Sequence, residues 1–426
     1  MNRYDSYKDS EQQWPATIPV NWNMLAGKRF FSRKNVVVGK NHKFYDLLSL
    51  TLNGVIKRDM DNPTGKFPTS FDTYQEVHQG DFIFCLFDNE ETPRTVGLSN
   101  YDGMITGAYD IFRCISPKIN SRFLLYYYLN IDEAKRMKPL YKGLRKIIPL
   151  ESFLRYKIAI PSTLEQDTIV KFLDKTTTEI DKAIAQQQRM IDLLNERKQI
   201  IIQQAVTKGL NPNVKMKDSG IEWIGQVPEH WRVTKLKRKC IIVLGKMLSN
   251  NIGLVFKYIC AKDVHFGSVN ISDLKEMHFT PQERLIYEVK YGDILVVEGG
   301  AGAGGCAVYE HDVSDIYIQN SIMIVRGDND MNNKYICNFL QAISQKGYIE
   351  FICNKATIPH FTKEKLGGVY LPIPPIEEQK SIVAYINKSI DPIDTEIQRH
   401  KQLITMLQER KQIIINDVVT GKIKVI

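Results

Sequence analysis

Residues 194–202 read LNERKQIII, and residues 407–415 read LQERKQIII. Outward from this pair the match runs ungapped at a spacing of 213 residues. Ile160, Pro161, Glu165, Gln166, Ile169, Val170, Lys175, Ile180, Asp181, Ile184 and Ile191 recur as Ile373, Pro374, Glu378, Gln379, Ile382, Val383, Lys388, Ile393, Asp394, Ile397 and Ile404. Val206-Thr207 recurs as Val419-Thr420. A second match lies upstream of each copy: Lys8, Asp9, Ser10, Trp14, Pro19 and Trp22 recur as Lys217, Asp218, Ser219, Trp223, Pro228 and Trp231, at a spacing of 209. The intervening stretches, roughly 28–150 and 235–365, have nearly equal lengths but share little sequence. A period this long is neither a solenoid nor a propeller. Constant ends around varied middles, used twice, point to a job with two halves in which each middle reads something different.

The repeated segment has the pattern of a helical spacer. Each copy opens on prolines in an extended stretch, Ala159-Ile160-Pro161 and Leu371-Pro372-Ile373-Pro374-Pro375, which mark a boundary. Ser162-x-x-Glu165 fits a capping box, and Pro375 suits a first helical position. Leu173, Ile180, Gln187, Leu194 and Ile201 then step by seven, as in a coiled-coil seam. The expected helix-pairing residues are Ile180, Ile184, Ile191 and Leu194 with Ile393, Ile397, Ile404 and Leu407. Gln187 and His400 fall mid-seam and either fix register or face solvent. Pro392 predicts a break, with Asp391 capping a new helix, so each copy should hold a short helix followed by a long one. A long piece of about 28 residues would run roughly 42 Å. Antiparallel pairing of the copies would place the varied domains at opposite ends, a separation close to one turn of duplex DNA, ~34–36 Å.

A length of 426 residues with 43% hydrophobic content predicts a globular protein of two or more domains. The polar start, MNRYDSYKDSEQQW, lacks the pattern of a signal peptide, and no apolar run reaches the ~20 residues of a membrane span. Seven scattered cysteines without a Cys-x-x-Cys pair argue against disulfides and zinc ribbons, and for the reducing cytoplasm. The net charge is +9, with 30 basic and 24 acidic residues in 1–210 and 27 against 24 in 211–426. This is a moderate footprint for a polyanion.

Both middles have the pattern of mixed α/β structure. Gly80-Asp81-Phe82-Ile83-Phe84 parallels Gly292-Asp293-Ile294-Leu295-Val296 as a turn and strand. The aromatic-rich stretches 123–129 and 335–340 should be helices that contribute to the core. Candidate DNA-binding residues cluster before each spacer: Lys138, Lys142, Arg145 and Lys146 in the first half, and Lys355, Thr357, His360 and Lys363 in the second. Cations of this kind neutralise phosphates or read guanine edges. Gly302, in the glycine-rich loop 299–305, is a further candidate because glycine admits a backbone close to a phosphate. That loop lacks the Gly-Lys-Ser/Thr ending of a P-loop. Amino-methyltransferase tetrapeptides, His-Glu-x-x-His and nucleophile elbows are absent from the sequence. These absences favour a binding subunit.

Three motif groups carry a family resemblance: Lys217-Asp218-Ser219-Gly220-Ile221-Glu222-Trp223-Ile224-Gly225 through Pro228-Glu229-His230-Trp231; Pro372-Ile373-Pro374-Pro375-Ile376-Glu377-Glu378-Gln379; and Glu409-Arg410-Lys411 with Val419-Thr420-Gly421-Lys422. In these, and in its duplicated layout, nearly the whole chain resembles the specificity subunit of type I restriction–modification systems, the HsdS family. The first copy departs from the pattern at Trp14-Pro15-Ala16-Thr17 and Ser162-Thr163-Leu164. The resemblance implies an α+β chain: two mixed α/β target recognition domains, 1–158 and 211–371, separated by helical spacers, 159–210 and 372–426, packed as an antiparallel coiled coil in a pseudo-twofold repeat. It further implies double-stranded DNA and two methyltransferase subunits as partners, with restriction subunits joining them. S-adenosylmethionine would sit on the methyltransferase and none on this chain, which would hold no metal and no catalytic residue. The alternatives left open are a single-chain nuclease or methyltransferase with a divergent site, and a coiled-coil scaffold that binds no DNA.

Overall fold

The computed structural model describes residues 2–60, 70–247, 252–300, 302–345, 347–353 and 360–425. The chain forms two compact units, residues 1–187 with 402–426 and residues 188–401.

In the first unit, strands β1 (Phe31–Lys34), β2 (Asp81–Phe84), β3 (Val96–Leu98) and β4 (Asp110–Cys114) form an antiparallel sheet in the order β1-β4-β2-β3. Helix α1 (Ser121–Glu133) packs beside β3. The spacer helix α2 (Thr163–Lys208) begins in this unit and ends in the second. In the second unit, β5 (Cys240–Leu244), β6 (Ile294–Val297), β7 (Cys306–Val308) and β8 (Ile322–Gly327) repeat the arrangement as β5-β8-β6-β7. Helix α3 (Asn333–Gln345) matches α1 in length, at a spacing of 212 residues. The second spacer helix is α4 (Ile376–Val419). Strands β2 and β6 are buried along their whole length, which explains why they read as turn plus apolar run without alternation.

The two middles therefore share a fold that their sequences hide. They differ at the margins. The first carries a hairpin, Leu48–Thr51 with Gly54–Lys57, and a pair formed by Gln75–Val77 and Gly103–Ile105. The second carries a three-stranded sheet of Lys275–Phe279, Leu254–Ile259 and Ile316–Ile318, whose last pairing is parallel. The aromatic stretches are core, as expected: Phe123, Tyr127 and Tyr335 are fully buried.

The strand that directly follows each upstream match is placed alike in the two halves. Asn23–Ala26 pairs antiparallel with Lys157–Ile160, and Arg232–Lys235 pairs the same way with Tyr370–Ile373. The start of each half thus forms a ribbon with the strand that leads into the spacer.

Each core takes the beginning of one spacer helix and the end of the other. In the first unit Ile169, Val170 and Leu173 of α2 join Ile415, Val418 and Val419 of α4. In the second, Ile382, Val383 and Ile386 of α4 join Ile202, Ala205 and Val206 of α2. These are the same six repeat positions. A chain leaving a core while another enters it runs antiparallel, and fully burying each large aliphatic side chain contributes about 1.5–3 kcal/mol. Lys411 meets Asp181 at 2.7 Å in the first unit, and Lys198 meets Asp394 at 2.6 Å in the second. Each copy's lysine pairs with the other copy's aspartate.

Two expectations about the spacers need correction. Each copy is one continuous helix, of 46 residues in α2 and 44 in α4, and Pro392 lies inside α4. Ile386, Ile393 and Ile397 are buried on both sides of the proline, so packing offsets the lost backbone hydrogen bond. The seam also drifts from a strict seven-residue step. Leu173 is buried, but four heptads on the deeply buried residue is Ile202 and Ile201 is half-buried; Ile386 and Ile415 repeat this. A helix of 3.6 residues per turn slips ~20° per heptad against a 3.5 repeat, and four heptads accumulate most of one residue. Of the expected pairing residues, Ile180, Ile191, Ile393 and Ile397 are buried, while Ile184, Leu194, Ile404 and Leu407 are half-buried.

Replacing Pro392 with alanine restores an N–H to a helix already in place. The substitution is expected to stabilise the second unit by about 1–3 kcal/mol, read by thermal melting or by slowed amide exchange around residues 388–396. An unchanged or lowered melting temperature would mean that the helix packing depends on the proline itself.

Candidate nucleic-acid interface

The varied domains are held to the spacer helices by a pair of side chains that recurs in both copies. Gln166 and Gln379 are fully buried. The Gln166 amide donates to the Pro161 and Lys118 carbonyls at 3.0 and 3.1 Å, and its oxygen accepts from the Asn120 N–H at 2.8 Å. Gln379 donates to the Pro374 and Asp330 carbonyls at 2.9 and 3.0 Å and accepts from the Asn332 N–H at 2.8 Å. Asn120 caps α1 through its own side chain, accepting from the Arg122 and Phe123 N–H groups, and the Asn332 side chain accepts from the Tyr335 N–H at the start of α3. One buried amide therefore ties the start of the spacer helix to the start of the domain helix.

The preceding glutamate holds the ribbon. Buried Trp22 donates from its indole to Glu165 at 3.1 Å, and buried Trp231 donates to Glu378 at 3.1 Å. Tyr4 also donates to Glu165, and burial followed by that carboxylate pushes its phenol well above the ordinary tyrosine value. This use of Glu165 leaves the predicted capping box half-made: Ser162 Oγ accepts from the Glu165 N–H at 3.4 Å, while the carboxylate turns to the aromatics.

A buried acid recurs at the start of β2 and immediately before β6. Asp81 is bound by Lys34 at 3.0 Å and Arg113 at 2.5 Å, and Asp293 by Arg326 at 2.7 Å. Hydrogen bonding to Asp293 raises the Arg326 guanidinium above its usual value. A carboxylate this buried is tolerable only with such partners.

The basic cluster of the first domain folds into a tight hairpin. Lys142 and Ile147 exchange backbone hydrogen bonds of 2.9 and 3.0 Å, with positive φ at Gly143 and Lys146. Lys138 and Lys146 both reach Glu90, and Arg145 reaches Asp88 at 2.8 Å. Among the described residues the Lys142 ammonium has no hydrogen-bond or ion-pair partner. The hydrogen bonds of Lys138 and Lys146 hold the Glu90 carboxyl down to about 2. In the second domain Lys355 and Thr357 lie outside the described residues. His360 bridges to Gly299 and accepts from the Lys365 ammonium through its carbonyl at 2.9 Å; Lys363 opens the short helix Lys363–Gly368. Gly302 is exposed, and its carbonyl accepts from the Gly305 N–H in the turn between β6 and β7. Packing accounts for at least one glycine there: a Cβ on Gly304, at φ +83°, would lie 2.2 Å from the Ile349 side chain.

One surface escaped the reading of the sequence. Met190, Leu193 and Ile200 on α2, and Leu403, Met406 and Ile413 on α4, are exposed by 39–64 %. They are the same three repeat positions, and their spacing places each set on one helix face. The available signal was apolar residues recurring in both copies outside the seven-residue seam.

The family described as type I restriction modification DNA specificity domain matches residues 86–188 and 282–405, more than half of the chain. The chain belongs to this family. The matched segments take in both domain helices, both glutamine clamps and much of each spacer helix. The type I restriction enzyme MjaVIII specificity subunit of Methanocaldococcus jannaschii is 26% identical over 318 residues, covering 72% of each chain. A second protein of that organism, named for the specificity subunit of the MjaX enzyme, is 25% identical over 369 residues, covering 81% of this chain and 79% of its own. Among solved structures, a chain from work on complex assembly and conformational transition of the type I R-M system superposes with a TM-score of 0.69 at 15% identity, covering 96% of this chain and 100% of that one. As a type I specificity subunit, the chain has DNA and methyltransferase as the partners its family implies. Among the described residues no helix is long and apolar enough to cross a membrane, and no group of three or more His, Cys, Asp or Glu is placed to hold a metal.

Two outcomes follow from this geometry. Gln379→Leu and Gln166→Leu each orphan one N–H and two carbonyls, and each is expected to cost roughly 2–4 kcal/mol in chemical denaturation. A cost below about 0.5 kcal/mol would show that water replaces the amide. The Glu90 carboxyl, depressed by its two ammonium partners, should keep its brace above the ordinary carboxylate value of 4.5 and lose it as pH falls through about 2. A side-chain carboxyl resonance titrating near 4.5 would contradict this brace.

Proposed function

We propose that this chain is the non-catalytic DNA-recognition subunit of a type I restriction–modification complex, with each domain reading one half of a split, asymmetric site. The observation that carries the reading is the duplication itself. Two domains share one sheet order and one clamp to the spacer helices, while their marginal strands and loops differ. A shared scaffold with unlike edges suits two readers of different sequence better than one repeated chemical step. Residues 1–158 and 211–371 are the recognition domains, and 159–210 and 372–426 are the spacers. The basic residues Lys138, Lys142, Arg145 and Lys146, with Lys355, Thr357, His360 and Lys363, approach the duplex, and Gly302 lies beside its backbone. The seam formed by Ile180, Ile184, Ile191, Leu194, Ile393, Ile397, Ile404 and Leu407 keeps the helices paired and sets the interval of unread bases.

The two exposed triads support docking of two methyltransferase subunits. Each unit offers the same apolar face, so one kind of partner can bind twice. S-adenosylmethionine enters with those partners, which methylate adenine, and a restriction subunit joins them to cleave unmodified DNA.

Exchanging residues 1–158 for the corresponding domain of another family member is expected to change one half of the methylated site and leave the other half unchanged, as read by genome-wide methylation mapping. A change in both halves, or in neither, would contradict separate readers. Leu193→Asp and Met406→Asp place a charge on each triad without touching a core. Each is expected to remove one methyltransferase copy from the co-expressed complex, and the pair to remove both, as weighed by native mass spectrometry. Unchanged composition would mean that the triads are not the docking faces.

A further inference from the structure

The hairpin 142–147 is built in a way that general phosphate attraction does not require. Of its four cations, Lys138, Arg145 and Lys146 pair with three acids, Asp88, Glu90 and Glu91, and Lys142 alone is left over. The patch is therefore close to electrically neutral, which suits poorly a surface whose task is to neutralise phosphates. What the acids supply is orientation. Asp88 accepts from Arg145 Nη2 at 2.8 Å and from Nε at 3.4 Å, so both carboxylate oxygens grip one edge of the guanidinium. Phe87 lies under the guanidinium, with its ring centre 5.2 Å away. The Asp88 N–H donates to the Arg145 carbonyl at 2.8 Å, so backbone as well as side chain fixes the arginine. The Arg145 side chain still remains 66% exposed. Asp88 takes Nε and Nη2, so Nη1 is left without a partner among the described residues, on a guanidinium whose orientation is already fixed.

Beside it stands Leu144, fully exposed at the tip of the hairpin. The positive φ of Gly143 and Lys146 and the two backbone hydrogen bonds between Lys142 and Ile147 hold that tip away from the core. An ordered arginine fork next to an apolar knob is the donor and surface pattern that base edges in the major groove accept: two acceptors on guanine for the fork, and the methyl and ring edges of neighbouring bases for the leucine. Fixing the fork in advance lowers the ordering cost that a free arginine would meet on binding.

Building on the recognition function proposed above, we propose that the 142–147 hairpin is the base-reading tip of the first domain, with Arg145, oriented by Asp88, reading one guanine and Leu144 covering the adjoining base. Lys142, at the foot of the hairpin, contacts phosphate. Asp88 is a positioning residue, acting only through Arg145.

The test uses the full chain co-expressed with its methyltransferase partner, with methylation mapped across the host genome. For the unaltered chain the first half of the motif should contain a guanine whose replacement lowers methylation tenfold or more. Arg145→Ala should remove that preference at this one position while the second half of the motif keeps its sequence. Arg145→Lys, which keeps the charge but not the fork, should also remove it. Asp88→Asn should weaken the same preference, and Leu144→Asp should lower methylation at least tenfold with an unchanged melting temperature. The proposal is overturned if Arg145→Ala leaves the motif intact, if it lowers methylation equally on all sequences, or if lysine restores the preference fully. If instead the unaltered chain yields no split motif, the recognition function itself has failed, and this reading of the hairpin fails with it.

Discussion

A buried glutamine amide, placed one residue after a glutamate that holds a tryptophan indole, joins the varied domain to a long helix in each half of this protein. Gln166 and Gln379 each satisfy two carbonyls and one N–H that would otherwise be orphaned where an extended strand turns into a long helix. Trp22 and Trp231, fully buried, bring the start of each half to the same point through Glu165 and Glu378. Such groups are costly to bury unpaired, so the joint tolerates little change. The rest of each unit can vary around it. Strand edges and loops change without disturbing the clamp, the four-stranded sheet order or the helix that the clamp caps.

The spacer helices show the same economy. Six repeat positions serve as core at both ends, and one lysine–aspartate pair appears in reciprocal form, Lys411 with Asp181 and Lys198 with Asp394. The remaining helix surface carries a second duplicated feature, the exposed apolar triads. A duplicated buried face organises the chain, and a duplicated apolar face stays exposed beside it.

Much of this was legible in the sequence because it lay in repeats. The boundary prolines, the aliphatic periodicity and the Glu165-Gln166 and Glu378-Gln379 pairs marked the ends and joints of the units. The identity of the two middle folds was not legible. It rests on backbone pairing between strands of unlike sequence, with only sparse shared anchors such as Asp81 with Arg113 and Asp293 with Arg326. Pro392 misled because local propensity argued for a break while Ile386, Ile393 and Ile397 kept the helix packed. The basic run at Lys138–Lys146 was visible, but its acidic braces at Asp88 and Glu90 lie some fifty residues away in sequence and meet it only in the fold.

The proposed function rests on two unlike domains of one chain, each specifying one half of a split site. The most direct measurement is methylation mapping of a genome with this chain and its methyltransferase partner present, compared with the same cells lacking the chain. The expected result is an adenine-methylated motif, dependent on the chain, made of two different specified halves separated by unspecified bases of constant number. A palindromic or continuous motif, or methylation that persists without the chain, would contradict it.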